Sequence, residues 1–247
     1  DTSSTMPIGP SQGNRRDLSV LGAALVLLSV CALQSGCRNI HSAAREGDAA
    51  AVARLLKRGV DPNKWNWRNS TPLHEAAASG HLAVVKLLVE HGADVNRRGD
   101  TPQKPLHFAA QAGHSEIVTY LLDHGAEISQ ALHETAYKGR VEIARVLLEH
   151  GADINEKGQD EATPLECAVA YGQADLVRFL LARGANVNSQ GIYGRTALHV
   201  AAYRDDVMIG RILLEHGADP ALKWQDRPVQ PRSDAFRKLL EQSRAVP

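Results

Sequence analysis

Apolar positions along this chain come in two short bursts, and the pair of bursts recurs. In the stretch from Thr71 to Arg97, TPLHEAAASGHLAVVKLLVEHGADVNR, a slim set (Leu73, Ala76, Ala77) is followed by a bulkier one (Leu82, Val85, Leu88, Val89). Both sets follow helical spacing, so each copy predicts a short first helix and an amphipathic second one. Thr71 is placed to cap the first helix, with Pro72 in its opening turn, where a missing N–H does no harm. His91 falls in the last turn of the second helix, and Gly92 supplies the left-handed residue that ends it. Related stretches begin at Asn39, Lys104, Gln130, Thr163 and Thr196. Their terminal glycines are Gly59, Gly92, Gly125, Gly151, Gly184 and Gly217, spaced 33, 33, 26, 33 and 33 residues apart. Neither helix can bury its face alone. A fixed period of this length therefore predicts a stack in which neighbouring copies share one core.

TPLH at Thr71, KPLH at Lys104 and TALH at Thr196, carried on that period, make the chain resemble the ankyrin-repeat family from about Asn39 to Leu222. The resemblance implies an all-α ankyrin-repeat solenoid of about six helix-pair repeats, with a β-hairpin finger after each GAD-x-N and a concave groove between fingers and first helices. Gly92 to Leu106, Gly151 to Leu165 and Gly184 to Leu198 each span 14 residues, whereas Gly125 to Leu132 spans seven. The finger between repeats three and four is thus expected to be missing. The first copy lacks TPLH, as a terminal copy does, and Ser233 to Gln242 reads as a capping helix. Together these assign residues 38–247 to the repeat domain.

Residues 1–37 read differently. Asp1 to Gly13 are polar and rich in breakers, which predicts disorder; Met6 is one candidate start. Arg15 and Arg16 precede an uncharged run from Leu18 to Leu33, short for a membrane span but suited to a signal-peptide core. Ser35-Gly36-Cys37 resembles the end of a bacterial lipobox, although Gln34 stands where that motif carries an aliphatic residue. The resemblance implies lipidation at Cys37 and anchoring to a membrane of the bacterial cell envelope, on the periplasmic side. An uncleaved membrane anchor is the alternative.

Composition narrows the function. With 28 basic and 28 acidic side chains the net charge is zero, which argues against a nucleic-acid binder. Eleven histidines invite a metal or catalytic hypothesis, yet all are phased with the repeat. His41, His74, His107, His133 and His199 occupy the TPLH position; His81 and His114 open second helices; His91, His124, His150 and His216 precede terminal glycines. Cys167 has Glu166 rather than a base beside it, so a packed thiol is expected. No enzyme, metal or cofactor is implied.

The chain holds few aromatics, 4% of residues, and they gather where an ankyrin groove varies. Tyr137 with Lys138, Tyr171, and Tyr203 with Arg204 align at equivalent first-helix positions and should line up along one concave face. Trp67 and Arg68 fall in an early finger, Tyr193 and Arg195 in a late one. Tyr120 alone among the five tyrosines aligns with a core position, that of Leu87. Tyr, Trp and Arg dominate protein interfaces. The expected function is therefore a monomeric, envelope-tethered scaffold that binds a protein partner in its groove. An inhibitor or immunity protein occluding a toxin or hydrolase, and a structural spacer, are the alternatives.

Overall fold

The computed structural model describes residues 39–99, 103–158, 160–191 and 194–244; the predicted N-terminal segment with Cys37, and Tyr193, lie outside them. The chain divides into units 1–39 and 40–247, and the second carries every helix discussed below. Thirteen helices are present among the described residues, and no sheet. The helices form six pairs and a cap: α1 (Ile40–Glu46) with α2 (Ala49–Lys57), α3 (Pro72–Ser79) with α4 (Leu82–Glu90), and α5 (Pro105–Ala112) with α6 (Ser115–Asp123). Then come α7 (Ala131–Lys138) with α8 (Val141–Glu149), α9 (Pro164–Ala170) with α10 (Ala174–Ala182), and α11 (Ala197–Arg204) with α12 (Val207–Glu215). The last, α13 (Asp234–Arg244), closes the end. Each first helix packs on the next first helix, and each second helix on the next second helix. Among the described residues no helix is long and apolar enough to cross a membrane.

Side-chain size explains the two layers. First helices meet through pairs such as Ala76-Ala77, Ala109-Ala110 and Ala201-Ala202, all buried, because only small residues let backbones approach so closely. Second helices bury larger groups: Val84, Val85 and Leu88 in α4 are wholly enclosed. Leu82 and Val89, expected in the core, are half-buried at its edge, and Val84 takes the central place instead. Tyr120 shares that edge. It packs against the core half-buried and stacks on His124, ring centroids 3.9 Å apart. At the C-terminal end Phe236 of α13 is fully buried against Gly210, where even a Cβ would come within 2.7 Å of its ring.

The histidines bind this stack together in three ways. At the TPLH position the N-cap backbone N–H donates to the ring Nδ1: Thr71 to His74 at 3.2 Å, Lys104 to His107 at 3.0 Å, Thr196 to His199 at 3.3 Å. That leaves the other nitrogen, Nε2–H, for the loop that follows. His41 Nε2 lies 2.8 Å from the Lys64 carbonyl, His107 Nε2 2.9 Å from Ser129 and His133 Nε2 3.0 Å from Ala162. In the last turn of the second helices Nδ1–H reaches back to a carbonyl of the same helix, as His91 does to Leu87 at 2.8 Å and His216 to Ile212 at 2.8 Å. His81 and His114 cross between repeats to the Arg45 and Ala78 carbonyls at 3.0 and 3.2 Å.

The fingers depart from expectation. Among the described residues they form no strands; a backbone hydrogen bond joins the two ends of each loop, and three of the four carry a second within the turn. Asn66 N–H donates to Ser70 O at 3.0 Å, Gly99 to Gln103 at 3.2 Å, Gly158 to Ala162 at 2.9 Å and Gly191 to Arg195 at 2.8 Å. Only Trp224 and Arg227, after the last repeat, make an isolated antiparallel bridge. Loops this short leave no residues for a ladder, and side chains complete the satisfaction: Asn66 Oδ1 accepts from Arg68 and Ser70 N–H. Between Gly125 and Leu132 there is no finger, as predicted. The chain turns through Gln130 at φ +60° and enters α7 directly.

Two outcomes follow. Gly151 ends α8 at φ +89°, and an added Cβ would meet nothing within 4 Å. Gly151→Val should therefore lose stability through backbone strain alone, about 1 kcal/mol or more, read from a thermal or denaturant melt. A melt identical to wild type would place the helix end elsewhere. Burial holds His74 at a pKa of about 4, below its ordinary 6.5, and lowers His107 and His199 in the same direction. A folded pKa below the unfolded one means stability present above pH 6.5 and lost as the pH falls toward 4. His74 alone should remove about 2 kcal/mol by about pH 5, measurable as a drop in the urea midpoint from neutral pH. A midpoint that is flat over this window would contradict a buried neutral ring.

Candidate functional site: the groove between first helices and finger loops

The groove is built from the C-terminal ends of the first helices on one side and the finger loops on the other. Its centre is a pair of tyrosines. Tyr137, on the last turn of α7, and Tyr171, which caps α9, lie with ring centroids 4.5 Å apart at 47°. Both stay open to solvent, 43% and 47% exposed. The neighbouring Tyr171 hydroxyl and partial burial push the Tyr137 phenol up to about 12, so it is neutral at any physiological pH.

Tyr137, Tyr171 and Tyr203 do not form one file. Tyr137 and Tyr203 occupy the same place in their repeats, but Tyr171 stands one residue further on, and Ala170 holds the equivalent position. Tyr203, 60% exposed, is covered instead by Arg232, whose guanidinium carbon lies 3.9 Å from the ring centroid. Lys138 is exposed beside Tyr137. Arg204 is exposed but not idle: its guanidinium donates to the Ala170 carbonyl at 2.7 Å. Gln173 does the same for the Tyr137 carbonyl at 3.3 Å. Both therefore cap the helix end of the preceding repeat, the duty His81 and His114 perform earlier.

On the finger side Trp67 is 83% exposed, with Arg68 4.4 Å from its ring. Arg195 lies 3.9 Å from the Trp224 ring and is half-buried. A stacked guanidinium is ordered yet keeps its N–H edge for a partner. Between the first two finger loops lies a cleft of about 250 Å³ lined by Arg68, His74, Glu75, Ala78, Gly99 and Phe108. Phe108 meets His74 edge-on at 5.6 Å. The sequence reading missed this cleft. Its one signal was Phe108, a large apolar residue at a position where other copies carry Glu75, Glu134 or Cys167.

Another missed set is the asparagines of GAD-x-N. Asn63 donates to the Gly92 carbonyl at 2.9 Å and accepts from Asp94 N–H at 2.7 Å. Asn96 repeats this with Gly125 and Glu127, and Asn188 with Gly217 and Asp219. One side-chain amide thus fastens each loop to the next repeat. In repeat three the residue is Ser129, and its carbonyl goes to His107.

Glu166 replaces histidine in repeat five and inverts the bond. Its carboxylate accepts from Thr163 N–H at 2.9 Å, as the imidazole Nδ1 does, and from Gly191 N–H at 2.9 Å, where imidazoles donate to a loop carbonyl. Burial raises its pKa. Beside it the half-buried Cys167 thiol is pushed up to about 12, first by burial and then by Asp160, Glu166 and Glu134. No thiolate is available there. Among the described residues no group of three or more His, Cys, Asp or Glu is arranged to hold a metal.

Stacked helix pairs with loops on one edge define a helical repeat solenoid. The family description "Ankyrin repeats (3 copies)" matches residues 40–131 and 132–223, and the chain belongs to the ankyrin-repeat family. It is similar to the ankyrin repeat domain of human ASB11, at 31% identity and TM-score 0.75, over 82% of this chain and 96% of that one. It is also similar to the ankyrin repeat domain of Bcl-3, a member of the IkappaB protein family, at 30% identity and TM-score 0.71, over 82% and 97%. No curated protein matches. Membership of this family implies a protein–protein interaction scaffold.

Proposed function

We propose that this chain is a non-enzymatic scaffold tethered to a bacterial membrane through Cys37, and that it holds one partner protein along its groove. The observation that carries the groove reading is the exposed Tyr137–Tyr171 pair directly after the missing finger. Two large rings left in solvent, in a chain with few aromatics, have no packing role that requires their exposure. Trp67 with Arg68 and Arg195 on Trp224 extend the same edge, and Tyr193 stands two residues before Arg195 in the sequence. Tethering rests on sequence: Arg15-Arg16, the uncharged Leu18 to Leu33 and Ser35-Gly36-Cys37.

The groove is tested on the partner recovered by pull-down from envelope extract. Tyr137→Ala should weaken that complex about thirtyfold or more, as loss of a hot-spot aromatic does, while leaving the melting temperature nearly unchanged. Tyr120→Ala should do the reverse and lower stability by about 1 kcal/mol, since its ring packs against the core edge. Were Tyr137→Ala to lower the melt and spare affinity, the tyrosine would be a packing residue and the groove reading would fall. For the tether, Cys37→Ser should abolish incorporation of a labelled fatty acid and release the protein from the membrane fraction. Continued labelling of that variant rules the assignment out.

A further inference from the structure

The first two finger loops enclose a place unlike the rest of the groove. The cleft between them, about 250 Å³, has Ala78 and Phe108 on its helix side, Arg68 on one loop and Gly99 on the other. Two sequence choices open it. Repeats four and six carry Tyr137 and Tyr203 at the position of Ala78, so a methyl stands where they have a ring. Phe108 is half-buried and lines the cleft, whereas its equivalents Cys167 and Val200 pack against the core. An apolar cavity of about 150 Å³ already holds a benzene ring, and pockets for drug-sized ligands begin at about 300 Å³. The volume therefore suits a single large side chain.

The polar walls of the cleft are opposite in kind. Arg68 is exposed, with its guanidinium carbon 4.4 Å from the Trp67 ring centroid. Among the described residues that guanidinium makes no hydrogen bond or ion pair, with Glu75 or any other group. Glu75 is half-buried; its Oε1 accepts from Asn66 Nδ2 at 3.0 Å, and the carboxylate has lone pairs beyond that bond. One wall donates only and the other accepts only. A carboxylate entering the cleft would meet Glu75, and an ammonium or guanidinium would meet Arg68, each like against like. A hydroxyl answers both walls, since it donates one hydrogen bond and accepts others.

We propose that this cleft seats a tyrosine side chain carried by the partner. The ring lies between Ala78 and Phe108, where a second aromatic adds to the gain from burial, and the hydroxyl meets Arg68 and Glu75. This rests on the groove reading above and adds the chemistry of the segment that enters the early end of the groove. Phenylalanine fills the same space without the hydroxyl; serine or threonine brings the hydroxyl without the ring.

The test uses the full chain and N-acetyl-tyrosinamide as probe, followed by NMR of backbone amides and aromatic rings. Binding is expected at a Kd on the order of 1–10 mM, the scale of one enclosed side chain. The shifts should be confined to Arg68, Gly99, Phe108 and their neighbours. The matching phenylalanine compound should bind about fivefold more weakly, the scale of a hydrogen bond to a charged group. Arg68→Met keeps the stem and removes the N–H donors. It should shrink that difference to about twofold or less with an unchanged melt. Ala78→Tyr gives repeat two the residue that repeats four and six carry, so it should fold, occupy the cleft and abolish probe binding. Shifts that are absent, scattered over the surface, equal for the phenylalanine compound or retained in Ala78→Tyr overturn the seat. If the probe fails while the partner still loses affinity with Tyr137→Ala, the seat falls and the groove stands. If the partner is indifferent to both Tyr137→Ala and Ala78→Tyr, the groove reading itself has failed.

Discussion

The interaction on which the fold depends is the hydrogen bonding of a buried imidazole at the TPLH position. His107 makes both bonds, accepting from the N-cap N–H of its own first helix and donating to a carbonyl in the loop leading to the next repeat; His74 and His199 make the first of these bonds, and His41 and His133 the second. A helix start has orphan donors and a tight loop has orphan acceptors, and one neutral ring answers both. The bond requires the ring to be neutral, and burial ensures it. It also sets the distance between consecutive repeats, which the small Ala-Ala pairs then fill. Glu166 shows that the geometry matters more than the residue. A carboxylate works there because the loop turns an N–H, that of Gly191, toward it, and a Cβ on Gly191 would come within 2.2 Å of the carboxylate.

The missing finger shows what the stack can lose. A deletion of seven residues removes a loop and also the asparagine fastening, since Ser129 stands where Asn63 and Asn96 would. His107 keeps its acceptor, the Ser129 carbonyl. Lys104, at the position of Thr71, reaches Glu127 and holds that carboxyl below its usual range. Gln130 N–H donates to Glu156 at 2.8 Å and joins the shortened turn to the next repeat. A buried lysine is tolerable only when paired, so the ion pair and the deletion belong together. The lost loop is replaced by three specific bonds, and the groove is left open at Tyr137.

Much of this was legible in the sequence because repetition averages out local ambiguity. Six glycines in register fix six helix ends, and the interval from Gly125 to Leu132 gave away the deletion. What escaped depends on rotation or direction rather than on pattern. Val84 rather than Leu82 faces the core, since a helix of nine residues can turn by one position without changing its count of apolar residues. Tyr171 was read as equivalent to Tyr137 because tyrosine follows small residues in both copies, yet it stands one residue later and meets the other ring from the helix cap. The finger loops were expected as hairpins, but their side-chain amides complete hydrogen bonds that a ladder would otherwise make. Arg204 reads in the sequence as a groove residue beside Tyr203, and its bond to the Ala170 carbonyl depends on the preceding repeat.

The same architecture explains why function gathers on one edge. In a stack where each repeat touches only its neighbours, core and second-helix residues are fixed by contacts before and after them. The ends of the first helices and the tips of the loops are the positions that no neighbour needs. They can change without altering the spacing, so they are where a surface can become specific. In this chain those positions hold Trp67 and Arg68, then Tyr137, Tyr171 and Tyr203. The notch lies in that middle region as well. A partner approaching there meets two exposed rings without having to displace a loop. The deletion thus removes a barrier at the place where the exposed aromatic surface is densest.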